Sequence, residues 1–88
     1  MDVKVIDITS FSATITWKTN LEANSKVRYA YDSIYKDKSD SRLTKIHTIP
    51  LEDLNCETTY AFLVSSCATP TNCKISEWDN FTTDACGE

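Results

Sequence analysis

Four cysteines are the residues best able to do chemistry in this chain, and their spacing limits what that chemistry is. Cys56, Cys67, Cys73 and Cys86 follow the pattern C-x10-C-x5-C-x12-C. Zinc ribbons and knuckles draw paired ligands from tight turns, two to four residues apart. That spacing is missing, so no metal is expected. A catalytic thiolate needs a partner base, and the single histidine, His47, lies in a segment with strand periodicity where a half-buried structural role is expected. Oxidation to disulfides remains, with three connectivities open. Asp37 and Asp40, with Ser39 between them, hint at a cation loop but lack the spacing and glycine of a calcium-binding loop. Glu52 and Asp53 fall in a polar crossing where solvated acids are ordinary. No Ser/His/Asp set, phosphate-cradling glycine loop or HExxH motif occurs, so no cofactor and no catalytic residue is expected. Lys36, Lys38, Arg42 and Lys45 are interleaved with Asp37 and Asp40 and read as a solvated loop. One sequon, Asn80-Phe81-Thr82, makes Asn80 a glycosylation candidate.

The elements that must position these residues are short. A chain of 88 residues with 41% hydrophobic content is one domain, and its core is marginal because so small a chain buries only about two-thirds of its unfolded surface. Small domains of this kind commonly use disulfides in oxidising compartments, so four cysteines point to an extracellular or cell-surface location. No apolar run approaches the ~20 residues of a membrane helix, and no membrane insertion is expected. The start, MDVKVIDI, lacks the basic and apolar regions of a signal peptide, so Met1 reads as a domain cut or a cloning start. The net charge of −4 is spread rather than blocked, which argues against a nucleic-acid partner.

Period-2 alternation marks the strands. Val3–Ile8 carries β-branched residues of both parities and reads as an edge strand that changes face part-way. Ser12–Thr19 alternates cleanly, with Ala13, Ile15 and Trp17 on one side. Asn20–Asn24 reads as a polar connection, and Ser25–Tyr31 resumes with Val27 and Tyr29 inward. Asp32–Arg42 reads as a short edge strand, with Ile34 and Tyr35, leading into a flexible polar loop. Ile49 and Leu51 alternate before the crossing, and Tyr60, Phe62 and Val64 after it. The sixth strand leaves at about Ser66 through a turn containing Pro70, Thr71 and Asn72. The last runs from about Ile75 to Thr83 with Phe81 inward. Strict alternation from Phe81 would point Asp79 inward, and an unpaired buried carboxylate costs several kcal/mol. A bulge or an exposed Trp78 is therefore expected. With one glycine and two prolines available, the turns fall to Asn, Asp and Ser.

Leu54 is isolated in the polar crossing, six positions before Tyr60, a pattern that suggests the tyrosine corner of a β-sandwich. The spacing of Leu54, Thr58, Tyr60, Phe62 and Val64 resembles the corresponding corner of a fibronectin type III domain. Trp17 sits on the second strand, as in that family, whereas antibody-type domains carry theirs on the third. The second strand also has no cysteine, and Phe62 stands where an antibody-type domain has its second one. The His47-Thr48-Ile49 lead-in resembles versions in bacterial and archaeal secreted proteins, and similar modules precede the catalytic domain of purple-acid-phosphatase-like enzymes. The resemblance implies an all-β, seven-stranded antiparallel immunoglobulin-like sandwich over residues 1–88, a single domain excised from a larger protein. Its structural core would be Trp17, Leu54, Tyr60, Phe62, Val64 and Phe81. Cys56 replaces a proline common in the family's crossing, and the family's Arg-Gly-Asp tripeptide is absent.

If the strands Thr59–Ser66 and Ile75–Thr83 are antiparallel neighbours, the crossing and the tail share one pole, which brings Cys56 to Cys86. By the same parity, Cys67 and Cys73 flank a loop at the other pole. Disulfides need Cα atoms within about 7 Å, so the expected bridges are Cys56–Cys86 and Cys67–Cys73. The resulting expectation is a non-catalytic spacer or interaction module, with two alternatives: an accessory domain of a secreted hydrolase, or a protein or glycan recognition module. Its partners would be neighbouring domains of the same chain and protein or glycan ligands. Exposed Tyr35 and Trp78, with Pro70 and Asn72 in the Cys67–Cys73 loop, are the expected contact residues.

Overall fold

The computed structural model describes residues 1–87. It contains β1 (Lys4–Ile6), β2 (Ala13–Tyr31), β3 (Ile34–Leu51), β4 (Thr59–Thr69), β5 (Asn72–Ile75) and β6 (Asp79–Thr82), with no helix among the described residues. Every pairing is antiparallel. β2 and β3 form one long hairpin that runs through both layers. In the first layer, β1 pairs with the start of β2 (Val5 opposite Ile15), which pairs with the end of β3 (Ile15 opposite Ile49). In the second, the start of β3 pairs with the end of β2 (Tyr29 opposite Lys36), then comes β4 (Tyr29 opposite Phe62), with β5 and β6 in succession along its far edge.

The layers face each other across one core. Ala13, Ile15, Trp17, Ile49 and Leu51 of the first pack with Val27, Tyr29, Tyr60, Phe62, Val64 and Phe81 of the second, and Leu54 closes one end. Trp17 Nε1 donates to Ser66 Oγ at 2.8 Å, joining the first layer to a strand that pairs only with the second. Each large apolar side chain enclosed in this way stabilises the fold by about 1.5–3 kcal/mol.

The hairpin corrects two sequence expectations. Asn20–Asn24 is not a separate connection but a continuous, bulged part of β2, with register shifts between Lys18 and Ala23 and between Ala23 and Ser25. Bulges bend a strand and increase its twist, which lets β2 pass from one layer to the other while Ala23 stays buried. Asp32–Arg42 is not a short strand with a flexible loop. Only Asp32 and Ser33 make the turn, both at positive φ, and from Ile34 the chain is strand throughout. Asp37 explains this: it accepts from Arg28 Nε and Nη2 at 2.8 and 3.2 Å across the strand pair. The seven expected strands are thus six elements, two of which span two layers each, while the last expected strand is divided in two.

That division lies at Ser76–Trp78, between β5 and β6. Ser76 Oγ accepts the Val64 N–H at 2.9 Å, and the Ser76 N–H donates to Val64 O. A side-chain oxygen thus stands in for a ladder carbonyl, and the strand resumes with Trp78 outside and Asp79 exposed. β1 is shorter than Val3–Ile8, and its change of face falls at Asp7, where φ is +52°. Val5 before that residue and Ile8 after it both pack on the core. Among the described residues, four of the six non-glycine residues at positive φ are aspartates, the residue type that tolerates this region after glycine and asparagine.

Candidate functional site

One pole gathers the turn at Thr9–Ser12, the crossing at 52–58 and the tail at 83–86. Cys56 is bonded to Cys86, with Cα atoms 5.0 Å apart. The Asn55 N–H donates to Tyr60 Oη at 2.7 Å, so the tyrosine ring seals the core while its oxygen holds the crossing. Thr83 is buried, accepts the Thr58 N–H at 2.9 Å and donates to Asn55 O at 2.6 Å. Leu54 N–H donates to Phe11 O, Glu57 N–H to Asp84 O and Asp84 N–H to Thr9 O. Tyr60 and Phe81 stack with centroids 5.5 Å apart.

His47 is fully enclosed, not half-buried. It stacks on Trp17 with centroids 5.0 Å apart and planes 7° from parallel. Its Nε2 meets Thr19 Oγ1 at 2.9 Å and its Nδ1 meets Ser25 Oγ at 2.6 Å. Thr19 spends its own proton on Leu21 O at 2.7 Å, so it accepts from Nε2–H, and Ser25 donates to Nδ1. The ring is therefore the neutral Nε2–H tautomer, and burial pushes its pKa below the ordinary 6.5. Thr19 lies at the start of the bulged stretch of β2, just after Lys18, and Ser25 at its end, so the imidazole clips the strand where it changes layer. A serine donating to a histidine has the form of a nucleophile and base. Here the serine is 4% exposed and the histidine's other nitrogen meets a hydroxyl, not a carboxylate, which fits a structural clip. Among the described residues no three His, Cys, Asp or Glu side chains converge on a common point.

The outer face of the second layer carries the aromatic candidates. Tyr35 is 63% exposed and Trp78 50%. They come from opposite edges of this layer, yet their rings meet edge to face with centroids 6.3 Å apart. The row Tyr35, Ala30, Ala61, Asn80 explains how: the two central positions are alanines, leaving room for the rings to lean inward. Beside them Arg28 pairs with Asp37, and Lys26 Nζ lies 3.7 Å from the same carboxylate. The hydrogen bond from Arg28, reinforced by both cations, holds the Asp37 carboxyl below its usual range. Asn80 is exposed on the same face, while Phe81 points into the core.

At the other pole Cys67 and Cys73 are direct register partners and are bonded, with Cα atoms 3.9 Å apart. Pro70 is exposed in the turn that the bridge closes, which Pro70 and Thr71 make, whereas Asn72, expected in that turn, is the exposed first residue of β5 and pairs with Thr69. Asn24 Oδ1 accepts the Cys67 N–H at 2.8 Å. Sequence reasoning missed Ser25, Ser66, Thr19 and Thr83 as functional members of these networks. Their even spacing on otherwise apolar faces, as in Val64 and Ser66, was the available signal.

Two layers, antiparallel strands, a tyrosine corner and a tryptophan on the second strand define an immunoglobulin-like β-sandwich. Solved structures narrow the type. A myokine structure superposes with a TM-score of 0.80 at 18% identity, covering 96% of this chain and 94% of its own. The sensor domain of the anti-sigma factor RsgI4 in Pseudobacteroides cellulosolvens gives 0.66 at 23% identity, covering 96% and 92%. The third fibronectin III domain of the human KIAA0343 protein gives 0.68 at 14% identity, covering 99% and 82%. The chain has a fibronectin type III-like fold. No family model matches the chain, and no curated protein sequence does either.

Proposed function

We propose that this chain is a non-catalytic module of a larger secreted or cell-surface protein, holding neighbouring domains apart and offering one outer face for contact. The observation that carries this reading is the placement of the two chain ends. Met1 O accepts the Lys18 N–H, beside the Cys67–Cys73 pole, whereas Ser10 Oγ donates to Ala85 O at the Cys56–Cys86 pole. The body between them measures 45 × 24 × 19 Å. Domains attached at the two ends would be held at opposite poles of its long axis. Two disulfides support an oxidising, extracellular setting. Tyr35, Trp78 and Arg28 supply the residue types most enriched at interface hot spots, which favours this face for protein or glycan contact. Spin labels at Asp2 and Ala85 test the spacing. A single narrow distance distribution supports a rigid spacer, and a broad one, or a separation short enough to put both ends at one pole, refutes it.

A further inference from the structure

A cleft of about 540 Å³ opens between the layers at the Cys67–Cys73 pole, within the size range of small-molecule sites. Its walls include Leu21, Ala23 and Ala68, which are apolar, and two lysines, Lys18 and Lys74. Among the described residues no aspartate or glutamate lines it, although the chain carries a net charge of −4. Lys4, Lys26, Arg28, Lys38 and Arg42 each pair with a carboxylate, whereas Lys18 and Lys74, like Lys36 and Lys45 elsewhere on the surface, pair with none among the described residues. Ser66 also lines the cleft, is 1% exposed and accepts the Trp17 N–H. Its own proton goes to no protein acceptor among the described residues.

The cleft therefore combines two uncompensated ammonium groups, a buried hydroxyl free to donate and a short apolar wall. We infer that it binds a small organic carboxylate, with the carboxylate between Lys18 and Lys74 and the carbon chain against Leu21, Ala23 and Ala68. Charge-assisted hydrogen bonds from the lysines supply the preference for an anion. The walls are held in advance. The β2 bulge carries Lys18 and Leu21 on or beside one side, and the Cys67–Cys73 bridge pins the hairpin that bears Lys74 on the other. The site is separate from the Tyr35–Trp78 face, so either can fail without the other.

The test is an NMR titration of the intact, oxidised chain with butyrate and with its neutral match, butyramide. Butyrate is expected to move the Leu21, Ala68 and Lys74 amides, saturating at about 1 mM, while butyramide binds about tenfold or more weakly. K18Q and K74Q should each weaken butyrate several-fold, and K18Q/K74Q should remove the shifts while leaving the urea midpoint unchanged. Raising the salt concentration should weaken butyrate alone. Equal binding of butyramide, undiminished butyrate binding by the double variant, or no shifts at these residues up to about 10 mM would overturn the assignment.

Discussion

At the Cys56–Cys86 pole three distant segments are tied to one another through Tyr60, Thr83 and a bridge spanning 30 residues. At the Cys67–Cys73 pole the bridge spans 6 residues and ties β4 to its own hairpin partner, leaving a cleft of about 540 Å³ open. One pole is a joint and the other a mouth. The difference shows how a marginal core divides its work. Long-range crosslinks and buried hydrogen bonds hold the end where the crossing and tail meet, while the other end depends on Trp17, His47 and Ser66 behind the cleft.

The most damaging way to test this division is Trp17→Ala. It removes the indole that stacks on His47 and bonds Ser66, and should cost about 3–5 kcal/mol, most of the stability of so small a domain. Urea unfolding measures it, and a near-neutral result would mean that the open pole does not hang on this ring. Next come the bridges. In the chain-entropy model, Cys56→Ser with Cys86→Ser should cost up to about 3.5 kcal/mol and Cys67→Ser with Cys73→Ser up to about 2.5 kcal/mol. A larger loss from the short bridge would reverse the comparison. Tyr60→Phe keeps the ring and loses one hydrogen bond at the closed pole, so about 1–2 kcal/mol is expected in the same assay.

The smallest effect is a pH dependence at the open pole. His47 is held neutral in the fold, with its pKa pushed below 6.5 by burial. Between the folded and unfolded values the unfolded chain binds the extra proton, so stability is complete above about 6.5 and falls as the pH drops, by at most about 1.4 kcal/mol per unit. Unfolding midpoints at pH 7.5, 6.5 and 5.5 measure the slope, which His47→Asn should remove.

Much of the fold could be read from the sequence because its core positions announce themselves by parity: Ala13, Ile15 and Trp17, then Tyr60, Phe62 and Val64. What could not be read depended on partners far away in sequence. The polar residues after Asp32 look like a loop until Arg28 and Asp37 are known to lie opposite one another. Asn20–Asn24 looks like a connection because a bulge that turns a strand between layers carries no alternation of its own. At the contact surface, composition marked Tyr35 and Trp78 as aromatic and exposed. That they meet depends on the alanines between them, which belong to two other strands. The cleft was invisible in the sequence because Lys18 and Lys74 are brought together only by the packing of the layers.

Native-state hydrogen exchange tests the contrast between the poles most directly. The amides of Leu54, Asn55, Thr58 and Thr83, bonded to Phe11, Tyr60 and one another, should exchange only through global unfolding, at rates that follow the stability measured by urea. Those of Ala68, Asn72 and Lys74 should exchange faster, through local opening that is insensitive to low urea. Equal protection at both poles, or slower exchange at the Cys67–Cys73 end, would contradict the picture of a sealed joint opposite an open mouth.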